Sequence, residues 1–239
     1  MGLMDLFKKK KKPFVSAVIA AGGSSTRMGG ENKLLAELDG IPVLARTLMA
    51  FQANENVDEI VLVARDDLLV TYANLARAYD IVKTRQVVAG GATRVESVWK
   101  GVTACDPKCD IVLVHDGARP LVPQSIIDRV IEGVQSSTCA AAAVPVTDTI
   151  RRFDKDKGLY QLIPREELRA MQTPQGADRK LLAAALQHCM ENKLEVTDDV
   201  AALTELGANP ALVDGSYRNI KITTKEDLAI AASLLGVEG

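Results

Sequence analysis

Short, continuously apolar runs recur along the chain, each followed by a stretch with helical spacing, and this rhythm limits the fold more than any other feature. The first run is Phe14-Val-Ser-Ala-Val-Ile-Ala-Ala21. Glu59–Ala64, Arg85–Ala89, Asp110–His115, Cys139–Val146 and Ala211–Val213 follow it. Apolarity without alternation is what a strand covered on both faces requires, as in a parallel sheet. Helical patterns lie between the runs, at Pro42–Asn54, Leu68–Tyr79, Arg94–Ala104, Ser125–Ser136, Arg179–Asn192, Asp198–Leu206 and Lys225–Leu235. Strands alternating with helices build βαβ units. The expectation is α/β: a single Rossmann-like domain over residues 14–239, with a mostly parallel mixed sheet flanked by helices. No internal repeat is visible, and no linker follows Pro13.

Two segments depart from the rhythm. Residues 1–13 form a leader containing the run Lys8–Lys12, with nothing apolar enough to bury; it reads as a solvated, disordered tail. Residues 147–165 carry Thr149–Phe153 and Leu159–Ile163 around the charged turn Asp154-Lys-Asp-Lys-Gly158. That is a hairpin pattern, expected to project from the sheet as an arm.

Charge narrows the partners. Lys+Arg number 29 against 31 Asp+Glu, and five of those lysines together with Asp5 sit in the leader, so the chain beyond residue 14 stands at a formal −6. An acidic body argues against a nucleic-acid groove or an anionic membrane as the main partner. Aromatics at 4% argue against base-stacking platforms. No run is long enough to span a bilayer, and the lysines follow rather than precede the small apolar N-terminal stretch, unlike a secretory signal. A cytoplasmic globular protein is expected. Cys105, Cys109, Cys139 and Cys189 lack the paired spacing of a zinc site and read as reduced thiols in apolar segments.

In an open α/β sheet, ligands bind beyond the carboxyl ends of the strands. After the first strand comes Ala20-Ala-Gly-Gly-Ser-Ser-Thr-Arg-Met-Gly-Gly-Glu-Asn-Lys33. Small residues let backbone N–H groups approach an anion, and Arg27 and Lys33 add positive charge. Neither G-x-G-x-x-G nor a Walker loop is present, which excludes a nicotinamide oxidoreductase as far as sequence can. A glycine turn alone is compatible with a plain turn; the two cations six residues apart point to phosphate.

Ala-Ala-Gly-x(4)-Arg-Met-Gly-x(3)-Lys resembles the signature loop of sugar-phosphate nucleotidyltransferases. Val114-His-Asp-Gly-Ala-Arg-Pro120 is similar to the VHDxARP motif of one branch, the 2-C-methyl-D-erythritol 4-phosphate cytidylyltransferases. Gln172-Thr-Pro-Gln175, Thr197-Asp-Asp199 and Asn219-Ile-Lys-Ile-Thr-Thr-Lys-Glu-Asp-Leu228 follow in that branch's order. The likeness runs from about residue 14 to 235. Three departures stand out: the arginine of the first loop lies one residue later than is common, Asn32-Lys33-Leu34 replaces Pro-Lys-Gln, and Ala92 replaces a frequent acid. The first two are similar to molybdopterin nucleotidyltransferases, whose second half does not match.

The resemblance implies transfer of CMP from CTP to 2-C-methyl-D-erythritol 4-phosphate with release of pyrophosphate, in non-mevalonate isoprenoid precursor biosynthesis. Two polyanions must meet, so the protein's work is positioning and charge neutralisation. It implies Arg27, Lys33 and Lys221 as catalytic cations. Ala20, Ala21, Gly22, Gly23, Gly90, Gly91, Ser97, Asp116 and Gly117 would bind the nucleotide. Arg119, Thr149, Arg165, Thr173, Thr197 and Lys221 would hold the substrate. Asp116, following a buried strand, would hold Mg²⁺ directly or through water, or bind the ribose; a turn-capping role is its plain alternative. Thr197 is equally readable as an N-cap, and His115 reads as packing. A homodimer is implied, sharing arms. Ribitol-5-phosphate cytidylyltransferases share most motifs, although Arg165-Glu-Glu-Leu168 leans towards methylerythritol phosphate. A non-catalytic nucleotide-binding regulatory module is the alternative from another class; Arg27, Lys33, Asp116 and Lys221 together exceed what binding alone needs.

Overall fold

The structure is a computed structural model that describes residues 12–23 and 32–236. The expected leader, apart from Lys12 and Pro13, lies outside the described residues, and so does Arg27. Lys12 Nζ donates to the Glu55 carbonyl at 2.7 Å.

Seven strands form one sheet: β1 (Val15–Ala20), β4 (Glu59–Ala64), β5 (Thr84–Ala89), β6 (Ile111–Asp116), β7 (Cys139–Pro145), β10 (Arg169–Asp178) and β11 (Ala211–Asp214). Their spatial order is β11-β7-β10-β6-β1-β4-β5. Every pairing is parallel except those of β10, which runs antiparallel to both β6 and β7. Two small hairpins stand apart, β2 (Glu37–Leu38) with β3 (Ile41–Pro42), and β8 (Ile150–Asp154) with β9 (Leu159–Ile163).

The continuous apolarity of the strands now has its cause. Val15, Ala17 and Ile19 of β1 pack on one core with α1 (Val43–Ala53), α2 (Leu69–Ala78), α4 (Gln124–Ser137) and α7 (Lys225–Leu235). Val18 faces the opposite core, built with α3 (Arg94–Ala104), α5 (Arg179–Glu191) and α6 (Asp199–Glu205). Strands β4 and β6 divide the same way, Ile60 and Leu62 against Val61 and Val63, Leu113 against Val112 and Val114. Successive side chains point to opposite faces, so burying both faces demands an apolar residue at every position. The four cysteines are free and buried. Among the described residues no helix is long and apolar enough to cross a membrane.

Strand β10 carries no signal in the sequence. Arg-Ala-Met-Gln-Thr-Pro-Gln-Gly-Ala-Asp is polar and contains a proline, yet Gln172 to Ala177 are buried. Its buried amides are satisfied by neighbouring segments. Gln172 Nε2 donates to the Ser216 carbonyl (2.8 Å), and Gln175 Oε1 accepts from the N–H groups of Asp199 and Val200 (2.9 Å each). Asn219 Nδ2 donates to the Thr173 carbonyl (2.8 Å). Polar side chains in a buried strand are tolerated only when paired in this manner.

The β8–β9 hairpin matches the expected arm. It pairs Ile150 with Ile163 and Phe153 with Tyr160, whose rings meet at a tilt of 44° with centroids 4.9 Å apart. Phe153, Leu159, Tyr160 and Leu162 are each about half exposed or more.

Candidate active site

The sheet's strand order reverses at β1. The chain proceeds outward through β4 and β5, then returns to lay β6 on the other side, so the carboxyl ends of β1 and β6 flank a switch point, where such sheets bind ligands. Ala20 and Asp116 are register partners there. A cleft of about 310 Å³ opens above them, lined by Ala20–Gly23, Lys33, Leu34, Val63, Gly91–Arg94, Ser97, Asp116, Ala118 and Lys221. A larger cavity of about 600 Å³ lies between α2 and the edge strand β5, remote from these groups.

Each charged group in the cleft is placed by its neighbours in sequence. Lys33 sits between two anchors. Asn32 Nδ2 donates to the hydroxyl of the fully buried Tyr72 (2.9 Å), while Asn32 Oδ1 accepts the Leu34 N–H (3.1 Å). Leu34 is itself buried, and its carbonyl accepts the Leu44 N–H. Lys221 is set by Ile222, which is wholly buried and whose N–H donates to the Ala118 carbonyl at 2.8 Å. The capping box of Thr224 and Asp227 then starts α7. Gly117 allows the β6 turn to close on β1: its N–H donates to the Ala20 carbonyl at 2.9 Å, and a Cβ there would stand 3.2 Å from that oxygen.

Asp116 collects the positive charge. Lys221 Nζ lies 2.9 Å and Arg119 Nε 3.4 Å from Asp116 Oδ2, which leaves Oδ1 uncommitted among the described residues. Burial alone would push this carboxyl up; Lys221, Arg119 and Arg94 outweigh it and hold it at about 2. Asp116 is therefore ionised, and its partners make an isolated turn cap an insufficient description.

Beneath it, the Thr173 hydroxyl oxygen accepts the Asp116 N–H (3.1 Å) and lies 3.0 Å from His115 Nδ1. The Arg119 carbonyl can only accept, so His115 Nε2, 3.2 Å away, carries the proton and donates to it; Nδ1 is then the acceptor and the Thr173 hydroxyl donates to it. His115 is fully buried against Phe51, and burial lowers its pKa to about 4. It is a neutral strut rather than a base.

The structure thus gathers Ala20, Ala21, Gly22, Gly23, Lys33, Gly91, Ser97, Asp116 and Lys221 around one cleft. Gly90 directly precedes this lining, and Gly117 and Arg119 support it from the β6 turn. Thr173 is buried below Asp116 instead of facing the cleft. Thr149 and Arg165 are exposed at the base of the β8–β9 hairpin, where Arg165 donates to the Thr147 carbonyl (3.2 Å). Thr197 is exposed too, and the cap of α6 is Asp198, whose side chain accepts from Ala201 N, so the N-cap alternative for Thr197 does not hold.

Arg94 was not foreseen. It forks onto Asp199 with contacts of 2.9 and 2.7 Å, and Asp199 is wholly buried. Burial opposes charge on both groups, but pairing outweighs it for Arg94, raising its pKa; at Asp199 burial prevails and raises the carboxyl. A signal was available: a cation in the first turn of a helix opposes the macrodipole and implies a partner.

The chain as a whole is similar to proteins of known identity. The model of the family described as IspD, 2-C-methyl-D-erythritol 4-phosphate cytidylyltransferase, matches residues 15–237. The cytidylyltransferase of that name from Halalkalibacterium halodurans is 41% identical over 221 residues, covering 92% of this chain and 96% of its own. That from Dehalococcoides mccartyi is 39% identical over 222 residues, covering 92% and 96%. The crystal structure of 4-diphosphocytidyl-2C-methyl-D-erythritol synthase from Anaerococcus prevotii superposes with a TM-score of 0.84 at 31% identity, over 95% of this chain and 97% of that one. A motif-bearing cleft at the switch point, matched along nearly the whole length, places this chain in the 2-C-methyl-D-erythritol 4-phosphate cytidylyltransferase family.

Proposed function

We propose that the protein transfers CMP from CTP to 2-C-methyl-D-erythritol 4-phosphate, releasing pyrophosphate, as a cytoplasmic step in isoprenoid precursor synthesis. The observation that carries this reading is the convergence of Lys33, Lys221 and Asp116 on one cleft whose glycine-rich floor follows β1. A substrate phosphate oxygen attacks the α-phosphorus of CTP in line with the departing pyrophosphate. That nucleophile is already ionised, so no general base is needed, in agreement with the neutral His115. Lys33, with Arg27, neutralises the triphosphate and the charge developing at the α-phosphoryl group. Lys221 draws the incoming phosphate alongside. Gly90, Gly91 and Ser97 receive the cytosine; Arg119 and Thr197 complete the substrate's surroundings, and Thr173 acts from below by holding the Asp116 backbone.

Mg²⁺ suits the donor set. Among the described residues no cluster of three or more His, Cys, Asp or Glu could hold a metal alone. One ionised carboxylate with a spare oxygen, plus substrate phosphates, is the arrangement magnesium favours. Asp116 Oδ1 would hold the ion, which when bound neutralises phosphate charge.

The half-exposed apolar residues of the β8–β9 arm support a homodimer, since a lone two-stranded hairpin is marginal in water and these side chains need cover. Thr149 and Arg165, at the arm's base, then serve the neighbouring subunit's substrate.

Pyrophosphate release, measured with CTP, UTP, GTP and ATP against methylerythritol phosphate and ribitol 5-phosphate, tests the reading. CTP with methylerythritol phosphate should turn over fastest. Faster turnover of ribitol 5-phosphate, or no release with any pair, would overturn it.

A further inference from the structure

Residues 194–198 belong to neither helix nor strand, yet they carry Thr197, which the reading above puts beside the second substrate. A cavity of about 760 Å³ separates this segment from the start of α3, with Leu194–Thr197 on one wall and Thr93–Glu96 on the other. Thr93 and Arg94 also line the nucleotide cleft, so hollow and cleft share a wall. A segment backed by a cavity lacks the packing contacts that would fix its place on that side. Its position then depends on the polar ties at its end.

Two such ties meet at Asp198–Val200. From the sheet, Gln175 Oε1 accepts the N–H groups of Asp199 and Val200, and its Nε2 donates to Asp198 Oδ2 at 2.9 Å. Gln175 is the register partner of Val114, two residues before Asp116, so this tie refers the segment to the strand under the reaction centre. From α3, Arg94 grips Asp199 with both arms of its guanidinium, at 2.9 and 2.7 Å. Paired parallel bonds fix an angle as well as a distance. The Asp199 side chain is 1% exposed and that of Arg94 31%, so the fork is buried at one end and forms part of the cleft wall at the other.

We propose that Arg94 and Asp199 are a positioning pair for the transfer: their fork sets the distance between the nucleotide wall and the Thr197 segment, and with it the alignment of the incoming phosphate on the α-phosphorus. This rests on the reading of CTP and methylerythritol phosphate as substrates and deepens it. Neither residue has to touch the second substrate. A misplacement of about 1 Å between reacting groups can cost on the order of 100-fold in rate. Lysine at 94 would keep the charge but hold Asp199 through one point contact instead of a fork. Asparagine at 199 keeps the shape but turns an amide N–H₂ towards one guanidinium arm.

The test compares the full-length wild type with Arg94→Lys, Asp199→Asn and the double variant, each assayed well below its own Tm. Calorimetry gives the CTP affinity, and pyrophosphate release at saturating CTP gives kcat/KM for methylerythritol phosphate. Each single variant should bind CTP within ~3-fold of the wild type while kcat/KM for methylerythritol phosphate falls at least ~10-fold. The double variant should be no more than ~3-fold worse than the weaker single one, because a pair acting as a unit is lost only once. An unchanged kcat/KM in either single variant would overturn the proposal, as would losses that multiply in the double variant. A fall in CTP affinity as large as the fall in kcat/KM would also overturn it, since Arg94 would then be holding the nucleotide itself. A pair that merely held the fold together would lower Tm and leave the kinetics of the folded protein as they were. A wild type that binds CTP but does not turn over methylerythritol phosphate overturns the substrate reading, and this inference with it.

Discussion

Replacing Asp116 by Asn separates charge from shape at the centre of the site. The carboxyl is held from its ordinary 3.8 down to about 2. Its side chain is 14% exposed, so solvent screens it little. At ~1.4 kcal/mol per tenfold, the depression corresponds to ~2 kcal/mol of preference for the folded, ionised protein. The sign follows from the direction. A lowered carboxylate stabilises above the unfolded pKa, near 3.8, and loses that contribution as pH falls towards 2. Asp116→Asn should therefore unfold ~2 kcal/mol more easily at pH 7, equivalent to ~4–8 °C in Tm for a chain of this size. At pH 3 roughly half of that difference should remain, ~1 kcal/mol. Urea unfolding of both proteins at pH 7, 5, 4 and 3 measures it. A penalty of the same size at every pH would mean that Asn fails by packing, and that the pairing with Lys221 and Arg119 contributes nothing to stability. In turnover assays the same variant should need more Mg²⁺ for half-maximal rate; an unchanged metal dependence would return Asp116 to a purely structural part.

Lys33→Ala should lower kcat by at least ~100-fold while leaving Tm within a few degrees, because it removes a cation from a turn still anchored by Asn32 and Leu34; near-normal turnover would refute its role. Arg94→Ala leaves Asp199 buried without its partner and should cost ~3–5 kcal/mol in thermal or urea unfolding, with Arg94→Ala/Asp199→Ala recovering part of the loss; a shift below ~1 kcal/mol would show that water reaches the carboxylate. Mixing inactive Lys33→Ala and Arg165→Ala dimers after reversible dissociation should restore about a quarter of wild-type activity, since half the dimers become mixed and each holds one intact site. Activity that stays at the parental level despite confirmed exchange would assign Arg165 to its own subunit.

The parts of the fold legible in the sequence are those where burial demands apolarity. β4, α3 and α7 run over the residues the pattern predicts, and β1 and β6 differ from it only at their ends, because both faces of those strands are covered. β10 was illegible for the opposite reason: its interior is made of amides and a hydroxyl that pair with Ser216, Asp198, Asp199 and Asn219, segments 20 or more residues away. No local pattern announces partners at that distance. In the site, Lys33 and Lys221 were visible because cations beside glycine or between isoleucines lack a bland explanation. The Arg94–Asp199 fork joins residues 105 apart and could be sensed only as a misplaced charge at a helix start.

The reversed direction of β10 has a consequence for how such a protein can vary. A parallel neighbour would have required the chain leaving β7 to cross back to the opposite edge of the sheet before re-entering. Because β10 runs the other way, the chain leaves β7 at Pro145 and re-enters at Arg169 on the same edge, the one that carries Asp116. The intervening stretch is free of any crossing and can lengthen, shorten or change character without rethreading the sheet. It is a natural port for insertion, opening beside the reaction centre, and the present arm is one occupant of it. What is plugged in there can change while β1 and β6, which carry Ala20 and Asp116, stay as they are.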